Sequence, residues 1–481
     1  VNEALRCCGP NGETLPYRPD RECLAIELGS ADNRFQGSCM EFARSIPARD
    51  PAGKKLIPRE QINAVTSFID GSMIYGSDLV LQTRLREATT RGPGFLMATS
   101  FNDLLPAADE EEENCNHRPG EFCFVAGDIR VNEQPGLTVM HTMWMRLHNV
   151  IARELRLRRP SDSSEELFQL TRKIVVAIIQ NINYGEYLPI ILGADVMFDY
   201  KLWPGRIDLP IRAAYVSSVD PRITNAFSTA AFRFGHSMIP RAYNVSGRLV
   251  PLREVFNRPD LVFDNFNDML LALVNPFPAS RAQLFDRHMV EEITGHLFEP
   301  EDQVKGAPSR GLDLAALNIQ RGRDHGLPPY NDFRKLCGLE PFTDFSQFSE
   351  NSAVNAKLRQ LYRSVDNVDL FTGGLLEERL EKGVVGPTFG CIIAKQFFSL
   401  KYGDRFYFQT DREAEGFTDA QLSAIRNVTL AKVCCQNKAV REVQERAFVV
   451  PNQNNPLVSC SQLRREFLNY DLWNEASYQR K

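Results

Sequence analysis

The stretch Asn225–Pro240, NAFSTAAFRFGHSMIP, sets one imidazole, His236, among Phe227, Ala231, Phe234 and Met238 at three- and four-residue spacing. That spacing predicts a helix with an apolar face. An imidazole on such a face has two chemistries open to it. It can bind haem iron through one ring nitrogen while apolar neighbours hold the macrocycle dry. Or it can be a core histidine with its ring nitrogens satisfied, the commoner fate when the window stands alone. Arg233, one turn earlier, suits either a haem propionate or a surface ion pair.

Three other clusters carry chemistry. In Leu317–Pro328, LNIQRGRDHGLP, many polar groups sit in an apolar frame, which predicts a buried hydrogen-bonded network. The Asn318 carboxamide oxygen is suited to accept the free N–H of a metal-bound imidazole and so fix its tautomer. Arg321, one turn on, has a cofactor propionate or Asp324 as partner, and His325 reads as structural. In Gly127–Gln134, GDIRVNEQ, an arginine above haem iron can stabilise the hydroxide leaving a bound peroxide, and a nearby carboxylate can attach covalently to an activated haem methyl. Alone, that cluster reads as a polar helix start with capping carboxylates. In Thr66–Ser72, TSFIDGS, oxygen donors alternate around one carboxylate, Asp70. They would ring a hard cation such as calcium if a second carboxylate arrived from elsewhere; otherwise they are turn and cap residues.

Positioning these groups takes long helices. Leu137–Leu157 carries a stripe of Met140, Met143, Trp144, Leu147, Ile151 and Leu155, and Glu165–Asn183 is apolar enough to sit centrally. Tyr187-Leu188-Pro189 is expected to end that second helix. Helical spacing also runs from Arg59 to Ser77 through Ile62, Val65, Phe68, Ile69 and Met73, followed by an exposed helix around Leu79–Ala88. Beyond the His236 helix come a Pro/Asn-punctuated stretch to about Pro278, a helix at Ala282–Leu297 and a Gly/Pro-rich loop at Gly306–Gly311. Residues 1–58 read as an irregular disulfide-held region. No repeat, few strand signals and no linker appear, so residues 59–481 are expected to form one large, mostly α-helical domain.

Hydrophobic content of 43% and charged content of 24% are those of a globular protein with a sizeable core. A net charge of −5 argues against nucleic acid, and the basic run Arg153–Arg159 reads as a solvated helix face. No apolar stretch reaches the length of a membrane span; the longest candidate, Ile174–Ile179, is taken as a buried helix segment. The chain begins at Val1 without a signal peptide and so reads as a processed product. Eleven cysteines imply an oxidising compartment, and two sequons, Asn244-Val245-Ser246 and Asn427-Val428-Thr429, agree with secretion or granule storage. The odd cysteine is free or bonded to another chain, which leaves a homodimer open.

Together the blocks TSFIDGSMIYGS, FVAGDIRVNEQPGLTVMHTMWMRLHNVIA, VDPRITNAF, AFRFGH, LDLAALNIQRGRDHGLPPYN and GPTFGCIIAKQF run in one order between about Arg59 and Leu457. In this the sequence resembles the animal haem peroxidase family, the group of myeloperoxidase, lactoperoxidase, thyroid peroxidase and peroxidasin. The resemblance implies hydrogen-peroxide-dependent oxidation of halides, thiocyanate or phenolic donors by a haem b-derived cofactor. It implies His236 as proximal ligand, Asn318 as its partner, Arg130 as distal catalytic arginine, Glu133 as a haem ester and Arg233 as a propionate contact. Calcium would be held by Thr66, the Phe68 carbonyl, Asp70 and Ser72. Family pattern pairs Cys115 with Cys123, Cys337 with Cys391, and one of Cys434 or Cys435 with Cys460.

Two departures from the family matter. Gln134 stands where a methionine forms a haem sulfonium in myeloperoxidase, so chloride is expected to be a poor substrate. The family's distal histidine, second ester aspartate and further calcium carboxylate share a segment upstream of anything here. His117 lacks the matching flank, and His141 and His148 read as structural. A companion light chain carrying the distal histidine and aspartate is therefore expected. The rival reading is a peroxidase-like adhesion or matrix-binding protein, weakened by the lack of an Arg-Gly-Asp triplet.

Overall fold

The computed structural model describes residues 6–10, 12–15, 22–30, 32–109, 115–205, 212–274, 289–300, 302–412, 415–438 and 440–474. The fold is mostly α-helical, and its named strands form only two-stranded antiparallel pairs among these residues. Nine helices lead in chain order to the site: α1 Ser72–Tyr75, α2 Leu79–Arg84, α3 Pro135–Arg158, α4 Ser164–Ile182, α5 Leu188–Asp199, α6 Asn225–Thr229, α7 Leu261–Val274, α8 Glu291–Thr294 and α9 Leu314–Asp324.

Helix α3 starts where its sequence says it should. The Gln134 side chain accepts from the Gly136 N–H as N-cap, and Pro135 follows at a position whose N–H would have no helical partner. Val139, Met143, Leu147, Ile151 and Leu155 then bury one face against α4 and α7. Helix α4 opens on a capping box between Ser163 and Glu166 and buries Ile174, Val175 and Ile178.

Several boundaries differ from expectation. Tyr187-Leu188-Pro189 does not end the second helix: a π turn at Asn183–Tyr187 carries the chain into α5. Pro189 falls in the first turn of α5, where a missing N–H costs little, and Asn183 Nδ2 donates to the Ile179 carbonyl at 2.8 Å across the widened turn. The joined run Ser164–Asp199 is, by length and composition, apolar enough to cross a membrane, contrary to the sequence reading; 61% of its apolar window is buried inside the protein. Residues 59–71 are not helical. Thr66 Oγ1 takes the Phe68 N–H, Asp70 Oδ1 takes the Ser72 N–H, and Gly71 turns at φ 71°, so local side-chain bonds displace the helix. The helix expected to reach Ala88 stops at Arg84, and Arg86–Thr89 pairs with Gly92–Met97. Within the stretch read as punctuated, Val262, Phe266, Met269 and Leu270 give α7 a buried face. Of the helix expected at Ala282–Leu297, residues 282–288 lie outside the described residues and Glu291–Thr294 is helical. The acidic run Glu110–Glu113 of the sequence also lies outside them.

Five disulfides join Cys7 to Cys23, Cys8 to Cys39, Cys115 to Cys123, Cys337 to Cys391 and Cys435 to Cys460. Cys434 is free and buried, 3.8 Å from Met143 Sδ, which removes it as a covalent link between copies.

Candidate active site

His236 does not ride on a regular α-helix. Thr224 caps α6, the chain breaks at Ala230 (φ −138°, ψ −71°), and Ala231–Met238 continues as a 3-10 helix. The break lets Phe232 stack on Phe227 with ring centroids 4.5 Å apart, while Phe234 is buried. With three residues per turn, Arg233 and His236 eclipse on one edge. Both therefore reach the same side chain, Asn318.

Asn318 comes from α9, whose start is fixed by Asp313 accepting from the Ala315 and Ala316 N–H groups at 2.9 and 3.1 Å. Its carboxamide is fully buried. Asn318 Nδ2 lies 2.8 Å from His236 Nδ1, and Arg233 Nη1 donates to Asn318 Oδ1 at 2.7 Å. This orientation is the reverse of the one expected, in which the amide oxygen faces the imidazole. A guanidinium only donates, so it claims the oxygen and turns the NH2 group to the ring. In this arrangement Nδ1 accepts and the proton lies on Nε2.

Burial first, and then the Arg233 charge, push the His236 imidazole down to about 4, so it is neutral at physiological pH, as a metal ligand must be. Its Nε2 makes no hydrogen bond among the described residues. Burial also lowers Arg233 to about 10, which leaves it charged, and among those residues no carboxylate pairs with it. A neutral imidazole whose Nε2 is unbonded among the described residues, a half-buried cation with no carboxylate partner among them and the neighbouring phenylalanines fit a haem and its propionates, once the imidazole proton moves to Nδ1.

Arg321 takes the other partner left open by the sequence: Nη1 donates to the Ala43 carbonyl, Ser45 Oγ and Asp324 Oδ2. Arg130 is forked onto Asp128 at 2.9 and 2.6 Å, and its side chain is 63% exposed. The pairing holds Asp128 below the usual carboxylate range. Asp128, the N-cap of the Ile129–Asn132 turn, was not singled out by sequence reasoning, although its two-residue spacing from Arg130 is a recognisable local signal. Burial raises the Glu133 carboxyl, whose side chain makes no hydrogen bond among the described residues. Gln134 Oε1 accepts from both the Gly136 N–H and Tyr243 O–H at 2.7 Å. No hydrogen bond or ion pair among the described residues joins Arg130 or Glu133 to the His236–Asn318–Arg233 cluster.

At Thr66–Ser72 the structure shows the tight turn around Asp70, and Gln180 Nε2 donates both to the Ile69 carbonyl and to a second carboxylate, Asp404, which burial first and the Asp70 charge besides raise to about 6. No group of three or more metal-ligating His, Cys, Asp or Glu side chains occurs among the described residues. His141 and His148 are ties rather than reactants. His141 Nδ1 bonds the Met73 carbonyl at 2.9 Å, while His148 bonds Tyr75 Oη at 2.9 Å and the Phe95 carbonyl at 3.0 Å.

Fold and cluster together point to a class, the helical haem proteins. The sequence model of the animal haem peroxidase family matches residues 1–448, and the chain belongs to that family. It is 37% identical to a peroxidase-like protein of Margaritifera margaritifera over 96% of this chain and 58% of that one. It is likewise 37% identical to myeloperoxidase of Homo sapiens, over 95% of this chain and 61% of that one. The chain thus spans about three fifths of the length of these relatives. Peroxidase A of Dictyostelium discoideum superposes with a TM-score of 0.70 at 29% identity, covering 88% of this chain and 81% of that one. A fatty acid alpha-dioxygenase of Oryza sativa, at 17% identity, a TM-score of 0.62 and 86% and 70% coverage, shares the fold alone.

Proposed function

We propose that this chain is the large part of a secreted haem peroxidase that uses hydrogen peroxide to oxidise halides, thiocyanate or phenolic donors. The observation that carries the reading is the hydrogen-bonded chain Arg233–Asn318–His236, which presents a neutral imidazole beside a cation with no carboxylate partner among the described residues. Bound haem would supply the redox chemistry. His236 Nε2 would hold the iron, with Asn318 fixing the ring. Arg233 would neutralise a propionate, and Glu133, raised by burial and without a hydrogen bond among the described residues, is the carboxylate suited to a covalent haem link. Arg130, once turned from Asp128, would offer positive charge to a departing peroxide oxygen. Calcium would be held by Thr66, the Phe68 carbonyl, Asp70 and Ser72, with a further carboxylate from beyond the turn.

A companion light chain, bringing the distal histidine and aspartate, agrees with an apolar strip at 46–68. There Ile46, Leu56, Ile57, Ile62, Val65 and Phe68 are exposed, Ile57 at 88%. The five disulfides agree with an oxidising secretory route. Gln134 predicts weak chloride oxidation, because its oxygen is committed to α3 and Tyr243 and no thioether is present to form a sulfonium.

The test is a Soret band together with peroxide-dependent oxidation of guaiacol or iodide by the native particle, both lost in His236→Ala. A colourless, iron-free native particle would leave the matrix-binding reading in its place. Chloride oxidised at myeloperoxidase-like rates near neutral pH would overturn the donor assignment.

A further inference from the structure

His325 caps the C-terminal end of α9, seven residues and about two helical turns beyond Asn318, on the same face. Its Nδ1 lies 3.0 Å from Asn225 Oδ1, and its Nε2 lies 2.7 Å from Ser45 Oγ. An amide oxygen only accepts, so Nδ1 carries the proton and the Ser45 hydroxyl donates to Nε2. Asn225 is the first residue of α6, the segment that leads into the His236 helix. Ser45 is held in turn by Asp324, which accepts its backbone N–H at 2.8 Å and the Arg44 Nε–H at 2.6 Å.

A serine, a histidine and an asparagine in this order also have the connectivity of a nucleophile, a base and an orienting group. The electrostatics decide against that use. Burial first, and then Arg321, Arg233 and Arg59 against the opposing pull of Asp324, hold the imidazole down to about 4, far from the poise of an effective general base at neutral pH. A relay that resists protonation serves better to hold than to react.

We propose that His325 is the positioning residue of the His236 site. It ties the 42–45 strap, α6 and α9 into one junction that sets the register between Asn318 and His236. Helix α9 is also held by Gln320 to the Leu24 carbonyl, by Arg323 to Asp369 and by Arg44 to Asp324. The His325–Asn225 bond differs from these in joining the end of α9 to the first residue of α6, the segment that leads into His236. The consequence at iron rests on the haem reading above; the junction itself does not.

The test uses the full chain labelled at its histidine Cε1 positions and compares wild type with His325→Ala and His325→Gln. Glutamine keeps one donor and one acceptor. In the haem-free protein the junction predicts that alanine shifts the His236 resonance and that glutamine restores it. In the haem-loaded ferrous protein it predicts an iron–imidazole stretch moved to lower frequency and haem retention about tenfold weaker, the lower end of the usual effect of losing an outer-shell partner, both recovered by glutamine. An unmoved His236 resonance in a folded His325→Ala protein would overturn the proposal. So would an alanine effect that glutamine fails to reverse. If alanine prevents folding, Ser45→Ala and Asn225→Ala each cut one arm and must each move the His236 resonance. Absence of any iron–imidazole band in wild type would strike the haem reading and leave the haem-free comparison to decide the junction.

Discussion

Asn318 has one amide oxygen, and two donors have a claim on it. In the present arrangement Arg233 takes it, and the imidazole receives the NH2 group instead. Iron on Nε2 would put the proton on Nδ1, so haem loading must turn the amide over and free Arg233 for a propionate. Asn318→Asp tests this, because a carboxylate accepts from both donors at once. The imidazole gains anionic character, and the ferric/ferrous midpoint potential should fall in spectroelectrochemistry; an unchanged or higher potential would contradict the arrangement. Gln134→Ala removes the N-cap of α3 and the Tyr243 bond, and should cost about 1 kcal/mol in denaturant titration. No loss would mean that water replaces the cap. The meeting of Asn318 with His236 was legible in the sequence through the family resemblance, since spacing alone favoured a core histidine. The amide orientation was not, since it depends on a guanidinium 85 residues away in the chain. Nor was the Arg130–Asp128 fork, which reads as an ordinary cap until side chains are placed.

Periodicity served the helices well where one face meets the core over many turns. Helices α3 and α4 appear within two residues of expectation at either end. It misled at 59–71, where Ile62, Val65 and Phe68 have helical spacing but face solvent and side-chain oxygens claim the backbone. It also stopped short at Pro189, because a proline ends a helix only when its nitrogen falls past the first turn. The tie between α1 and α3 makes a prediction about pH. His148 is fully buried and burial lowers it to about 4, so folding favours its neutral form. The stability it contributes is complete above its ordinary pKa of 6.5 and is lost as pH falls through that value toward about 4. The loss is about 3 kcal/mol at 1.36 kcal/mol per pKa unit. His148→Gln should flatten the stability profile between about pH 6.5 and 4 in urea titrations; a variant profile parallel to wild type would contradict it. The disulfide closing 54 residues between Cys337 and Cys391 is worth about 4 kcal/mol on a loop-entropy basis. Replacing both cysteines by serine should lower stability by that order, and a change near zero would mean the reduced loop is already held by packing.

Over the whole molecule, the chain carries the proposed proximal ligand and a candidate catalytic arginine but spans only about three fifths of its relatives. The exposed apolar strip at 46–68 and the outward Arg130 are two surfaces that the proposed second polypeptide would complete. Intact-mass analysis of the native particle tests the proposed light chain: a second polypeptide beside this one is the expected outcome, and its absence would contradict that part of the proposal. The central claim is an iron–nitrogen bond at His236. Its most direct test is electron paramagnetic resonance of the ferrous nitrosyl form, with and without heavy-nitrogen histidine. The account predicts a second nitrogen coupling that changes with the label and vanishes in His236→Ala; a spectrum with the nitrosyl coupling alone, identical in wild type and variant, would contradict it.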